Sequence, residues 1–283
     1  MSLLKANFTV LAGAITLAVS LSAIEAQAWW VTPTYSTSSK ADFDDFNGDV
    51  KSTSYGIMGG NEYFTLGYKA TDYSLSGRDL FSDMHLLFAD AKYDGKFSAQ
   101  WGYFAGVGVA FGWEDDFHAS DNYNIKPRAG VSYALNQDYT IVGGFGANLN
   151  EPDNMFYPIL SLNYRNSSDI GLSYKLGFPY FDAMYRINNM FAFTGKVVAV
   201  PVKQDVYQLA DDNRVLSKGY LVEEYSEGSL GVEFTPHRAV AINAGLSVNF
   251  AREYNIYNSD GHEISSYETD PSYGAYLNVR ANF

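Results

Sequence analysis

The feature that most limits what this chain can fold into is a period of two in its side chains. From Trp101 to Trp113 the odd positions read Trp, Tyr, Ala, Val, Val, Phe, Trp, and the even ones are Gly, Phe, Gly, Gly, Ala, Gly. Between Val240 and Phe250 the even positions read Val, Ile, Ala, Leu, Val, Phe against Ala, Asn, Gly, Ser and Asn. The last residues alternate in the same way: Tyr273, Ala275, Leu277, Val279, Ala281 and Phe283 interleave with Gly274, Tyr276, Asn278, Arg280 and Asn282. A period of two places one set of side chains on each face of a β-strand. The composition agrees, with 23 Tyr, 19 Phe and 25 Gly against 8 Pro, because aromatic residues favour strands.

The less apolar face decides between architectures. A soluble sandwich would present Lys and Glu there. Gly, Ala, Ser and Asn dominate instead, which fits an inverted barrel with lipid outside and a narrow polar lumen. Aromatics near strand ends (Trp29, Trp30, Trp101, Trp113, Tyr273, Phe283) stand where interface girdles belong. The expected fold is all-β: a transmembrane antiparallel up-and-down β-barrel. Candidate strands lie near 29–41, 50–58, 62–74, 81–92, 97–112, 123–135, 139–148, 155–164, 169–177, 180–186, 190–208, 219–235, 239–254 and 272–283. That is about 14 strands. If "KLGFPYFD" (Lys175 to Asp182) is one kinked strand, the alternative is 12.

Connections alternate in length. Short turns are expected at Gly59 to Asn61, Tyr93 to Lys96, Leu135 to Asp138, Arg165 to Asp169, Ile187 to Asn189 and Thr235 to Arg238, with Gly, Asn and Asp supplying positive φ. Longer acidic connections run over Asp42 to Asp49, Glu114 to Asn122, Leu149 to Asn154, Leu209 to Gly219 and Asn255 to Asp270. Short on one side and long on the other is the outer-membrane arrangement.

The N-terminal residues read as a secretory signal. Lys5 precedes an apolar run from Val10 to Ile24, followed by Ala26, Gln27 and Ala28. A basic start, a short apolar core and an A-x-A site predict cleavage after Ala28, so residues 1–28 are expected to be a signal peptide and 29–283 one barrel domain. The chain has no Cys and a net charge of −13. The first excludes disulfides and thiolate metal sites, and the second argues against nucleic acid as a partner.

The C-terminus also resembles the assembly signal of Gram-negative outer-membrane β-barrels, with Ser272, Gly274, Leu277 and Val279 at the pattern positions and a terminal Phe283. The resemblance implies location in the cell outer membrane, outer-membrane lipid and lipopolysaccharide as surroundings, and the barrel-assembly machinery as a partner during biogenesis. "LGFPYFDAMYRINN", "VYQLADDN" and "GYLVEEYSEGSLGVEF" are similar to a group of bacterial outer-membrane barrels to which no activity is assigned.

No catalytic, cofactor or metal set stands out. Of four histidines, His85 is expected to face the lumen, with Met84 and Phe88 toward lipid. His118 and His262 fall in long loops and His237 in a short turn. A protease-like cluster would have to come from Asp44, Asp45, Asp115, Asp116, His118, Asp260 and His262, residues that read more simply as a solvated acidic surface. The Gly-rich stretches have no helix after them to form a phosphate cradle. Strand phase makes Lys69, His85, Arg128, Lys175, Asn243, Asn249, Asn278 and Arg280 the lumen-facing candidates. Inward aromatics such as Phe104 and Tyr276 could close the lumen. The functional expectation is a passive or weakly selective channel for small solutes. The alternative is a non-conducting structural or surface-interaction barrel, and an envelope hydrolase ranks last.

Overall fold

A computed structural model describes residues 28–114, 117, 123–200, 202, 204–211, 213 and 215–283. Residues 1–27 of the expected signal peptide lie outside the described residues. The strands are β1 (Trp30–Ser38), β2 (Ala41–Asp42), β3 (Asp49–Gly60), β4 (Phe64–Leu75), β5 (Met84–Lys96), β6 (Trp101–Trp113), β7 (Tyr123–Ala134), β8 (Tyr139–Asn150) and β9 (Met155–Tyr164). They continue with β10 (Gly171–Phe178), β11 (Tyr180–Arg186), β12 (Phe191–Val198), β13 (Gln204–Gln208), β14 (Tyr220–His237), β15 (Val240–Tyr257), β16 (Glu263–Thr269) and β17 (Ser272–Asn282).

Three pairs of these segments are collinear. β1 and β2 run along β3, β12 and β13 along β14, and β16 and β17 along β15. The wall therefore has fourteen staves, closed where β1 pairs antiparallel with β17 from Trp30↔Asn282 to Ser38↔Gly274. The 12-strand alternative is excluded because β10 and β11 are separate antiparallel partners, Gly171↔Arg186 through Leu176↔Phe181, turning at Pro179.

Both termini and six short turns gather at one end, where the Phe283 amide donates to the Trp29 carbonyl at 2.8 Å. Two local expectations need correction. The turn placed at Tyr93 to Lys96 lies four residues later, because β5 continues through Lys96 and pairs it with Gly102. Most of these turns are not held by positive φ either; at the turn end only Gly171, with φ 116°, uses it. Asn side chains hold the chain instead. The Asn61 Oδ1 accepts the amides of Tyr63 and Phe64 at 2.8 and 2.9 Å, and Asn136 and Asn188 repeat the arrangement. An Asn side chain that caps amides two and three residues on mimics a backbone turn.

The outer surface is apolar: Phe145 and Phe156 are each 76% exposed, Leu230 73% and Leu246 70%. At the turn end, ring pairs form a girdle, with Trp101–Tyr133, Tyr139–Tyr164–Tyr174 and Phe191–Phe234 centroids 4.8–5.3 Å apart. The other limit of the apolar belt follows from pairing. β9 pairs with β10 only over Leu160 to Tyr164, so Met155 to Ile159 lack that neighbour above the β10–β11 tip. An open sheet edge is not sustained against hydrocarbon, which puts the edge of the belt near Phe178 and Tyr180. Above it the outward residues of β3 and β4 turn polar, as with Lys51, Asp72 and Ser74.

A cation at the centre of this belt tests its orientation. Leu246→Arg is expected to lower unfolding stability in bilayers by ~2–4 kcal/mol, whereas Ser247→Arg, one residue on and lumen-facing, is expected to cost much less. Urea titration of the folded barrel in vesicles measures both, and equal losses would contradict the assignment of faces.

Candidate functional site

The lumen is built from the small-residue faces. β6, β7 and β8 present Gly102, Gly106, Gly108, Gly130, Gly144 and Gly146 inward, in register with Lys96, Asp90, Arg128 and Tyr157 of neighbouring strands. Glycine is needed here because large side chains lie flat on the wall. A Cβ on Gly130 would stand 2.5 Å from the Phe104 ring, and one on Gly144 2.9 Å from it. On the opposite wall the Tyr276 hydroxyl lies over Gly231 and Gly245. The inward aromatics that could have closed the lumen therefore lie along its wall.

Two adjoining chambers result. The larger, about 1310 Å³, lies against β5–β12 and is lined by Lys96, Arg128, Ser132, Asn163, Lys175, Asp182 and Lys196 among others. The smaller, about 550 Å³, lies against β1, β3, β14, β15 and β17, with Thr34, Glu227, Asn243, Asn249, Asn278 and Arg280 on its wall. Asp182 and Lys196, cross-strand neighbours on β11 and β12, border both. The lining residues run down to the turn end, where Trp30, Gln100, Asn136 and Arg280 stand at the mouth.

Charges in the lumen are mostly fixed in pairs. Arg128 grips Asp90 bidentately, both bonds 2.7 Å. Arg186 donates to Glu233 at 2.7 Å, and the Arg280 guanidinium sits 4.7 Å from the centre of the Trp30 ring. A bidentate arginine pair is both strong and directional. These side chains are held against the wall, which leaves the axis to solvent.

At the loop end the lumen stops. The upper halves of β14 and β15 bend inward at one line. The β14–β15 register shifts between Glu224 and Ser226, and Ala251 beside it adopts φ 50°. β13 travels with them and touches β6 through a single parallel bridge, Gln208↔Trp113. β2–β6 and β13–β16 thereby close a second, narrower ring, sealed between β16 and β2 by the Phe43↔Thr269 bridge. Its interior is a dry core of Leu80, Phe81, Met84, Leu86, Tyr207, Leu221, Tyr254, Ile256 and Tyr267.

The charged groups Arg252, Glu223, Lys69 and Asp205 at the base of this seal are paired. Arg252 Nε donates to Glu223 Oε1 at 2.9 Å, while the Tyr73 hydroxyl donates to Glu223 Oε2 at 2.9 Å. Lys69 Nζ meets Asp205 at 2.7 Å, and Lys126 donates to the Gln204 carbonyl at 2.7 Å. Buried charges persist only with such partners. Alternation alone could not reveal the seal: on β5 and β14 its apolar residues keep the inward phase of the polar ones below, and on β15 the phase changes at Ala251, where the register shifts. A sequence signal existed in the lengths of β14 and β15, 18 residues each, well beyond the ~10 that cross a bilayer.

The seal explains where one expected lumen residue goes. Lys69, Arg128, Lys175, Asn243, Asn249, Asn278 and Arg280 point inward. His85 does not. Met84 and Leu86 enter the dry core, so His85 between them faces out. There its Nδ1 is 2.8 Å from the Tyr68 hydroxyl and its ring packs against Tyr68 and Trp113. The phase of β5 is thus opposite to that expected: Met84, Leu86 and Phe88 are inside. At the C-terminus, Ser272 and Gly274 face the lumen, and Leu277 and Val279 face out.

Among the described residues, no three of His, Asp and Glu stand where they could share a metal ion. His237 ends β14 at a short turn and His262 lies in a loop. Asp115, Asp116 and His118 lie outside the described residues.

No protein-family description matches the chain, and no curated protein does. Solved structures similar to it are barrels. The NanC porin is 9% identical over 89% of this chain and 98% of its own, with a TM-score of 0.41. An outer-membrane channel from Pseudomonas putida F1 is 10% identical over 92% and 97%, TM-score 0.44. The P. putida toluene transporter TodX is 11% identical over 95% and 92%, TM-score 0.38. At these values they add nothing finer to the geometry above.

The glycine windows make a test of the lumen wall. Gly130→Ala, whose Cβ would run into the Gly143 carbonyl oxygen and stand 2.5 Å from the Phe104 ring, is expected to shift the β7–β8 backbone slightly and to lift the ring off the wall into the larger chamber. The chain lacks cysteine, so a Lys175→Cys reporter can be added alone. Its modification by a bulky thiol reagent should slow several-fold in the Gly130→Ala background while a small reagent reacts as before.

Proposed function

We propose that the protein is an outer-membrane barrel of the channel type, admitting small polar solutes into its lumen from the turn side, in a state closed at the loop side. The observation that carries this reading is the pair of adjoining chambers, lined by charged and amide side chains and bordered in common by Asp182 and Lys196, beneath an apolar seal made from the barrel's own strands. A barrel with a purely structural role would gain stability from side chains packed along its whole length. Here glycine is placed so that rings and guanidinium groups lie along the wall, and the axis stays wet.

The exterior supports an outer-membrane location: an apolar belt bounded by an aromatic girdle, closed without a free edge inside it. Outer-membrane lipid and lipopolysaccharide are the surroundings we assign to it. We also assign the Ser272–Phe283 strand a role in recognition by the barrel-assembly machinery, since alternation continues to the last residue. Selectivity follows the lumen charges, and on the wall of the larger chamber Lys96, Arg128, Arg165, Lys175 and Lys196 outnumber Asp94, Asp138 and Asp182. This excess lies in a chain whose net charge is −13. Small anions are therefore expected to enter it more readily than cations.

Single cysteines at Lys175, Thr194 and Asn249 test the reading. In oriented proteoliposomes, a membrane-impermeant charged thiol reagent added on the turn side should modify all three. An anionic reagent should modify a further single cysteine, Ser173→Cys on the wall of the larger chamber, faster than a cationic one of equal size. Lack of reaction at all three positions in the folded barrel would overturn the reading.

A further inference from the structure

β13 is attached by a ladder along one edge alone. Along one edge it has a full ladder with β14, Gln204↔Glu224 through Gln208↔Tyr220. Along the other it meets β6 at one bridge, supplemented by the Glu114 amide donating to the Gln208 carbonyl at 3.0 Å. Between β5 and β6, by contrast, the ladder is unbroken from His85↔Trp113 to Lys96↔Gly102.

What the second edge lacks in ladder it has in side-chain bonds from the wall. Lys69 of β4 binds Asp205, Lys126 of β7 binds the Gln204 carbonyl, and Asn148 of β8 donates to Gln204 Oε1 at 2.9 Å. Glu114, 4% exposed at the top of β6, accepts the Ser82 amide at 2.7 Å on one oxygen. Its other oxygen accepts the Ala210 amide at 2.8 Å. The Asn213 amide donates to the same carboxylate. One buried carboxylate thus ties the segment after β13 to the top of β5.

We propose that β13, with the inward-bent upper halves of β14 and β15, is a gate: its edge releases from β6, the narrow ring opens, and the chambers join the loop-side exterior. The bend line at Tyr225 and Ala251 is the hinge. Release leaves the β13–β14 ladder intact, so few backbone bonds break. The latch consists of Lys69–Asp205, Lys126–Gln204 and Glu114. This proposal rests on the channel reading.

Planar-bilayer recordings of the refolded full chain test it. Asp205→Asn leaves Lys69 without a carboxylate, and Glu114→Gln weakens the tie to Ala210 and Ser82 at nearly constant shape. Each is expected to raise open probability about tenfold or more over the parent, since unpairing one buried partner biases a two-state element strongly. In the Asp205→Asn background, cysteines replacing Trp113 and Gln208 face each other across the one bridge. Their oxidation should silence the steps and reduction should restore them. Two folded single variants as silent as the parent would overturn the gate, as would currents that persist with the disulfide closed. A chamber reactive to thiol reagents with silent variants defeats the gate alone; an unreactive chamber defeats the reading beneath it.

Discussion

The constraint on which the structure depends is the lack of any hydrogen-bond partner in hydrocarbon. Every backbone amide and carbonyl at that depth has to be paired inside the protein, and a sheet can do this only by closing on itself. The β1–β17 ladder performs the closure here, and the lipid then dictates the outward residues. The inner face is left to the small, the polar and the paired. Where the ladder is interrupted, above the tip of β10 and β11, the outward residues of β3 and β4 have turned polar, while Phe145 and Phe156 still face out on β8 and β9.

Relief from that constraint above the belt allows the upper strands to do something else. β14 and β15 need not stay in the wall once their outward neighbours are water and protein, and they bend in at Tyr225 and Ala251. The result is a molecule with two interiors. One is a wet lumen whose large side chains rest on glycine; the other is a dry core of Leu, Phe, Met and Tyr that resembles a small soluble protein. The ion pairs Lys69–Asp205 and Glu223–Arg252 stand at the boundary between them, where charge can be both paired and partly shielded.

Much of the barrel was legible because alternation of side chains carries the information directly: each of the fourteen staves falls on a candidate strand, including the two that meet at Pro179. Arg128, Lys175, Asn243, Asn249, Asn278 and Arg280 stand on the walls of the chambers, and Lys69 at the base of the seal. The failures share one cause. His85, Met84 and Phe88 were assigned by assuming that inward means polar, which holds only beside the wet lumen. Beside the dry core the inward set is apolar, and a period of two cannot say which interior a strand borders. That fact depends on β13 crossing to β6, a contact between residues far apart in sequence with no local signature. The turns were misread more mildly, because Asn can close a hairpin by side-chain capping as well as by positive φ.

The account stands on the claim that one strand borders lipid and wet lumen first and the dry core afterwards. Spin-label accessibility along β15 in liposomes measures this residue by residue. From Val240 to Phe250, oxygen accessibility is predicted to peak at the even positions, with a water-soluble nickel complex peaking at the odd ones. From Arg252 to Tyr257 both should fall together. Nickel accessibility that persisted through Tyr254 and Ile256, or an oxygen peak at the odd positions below them, would contradict the account.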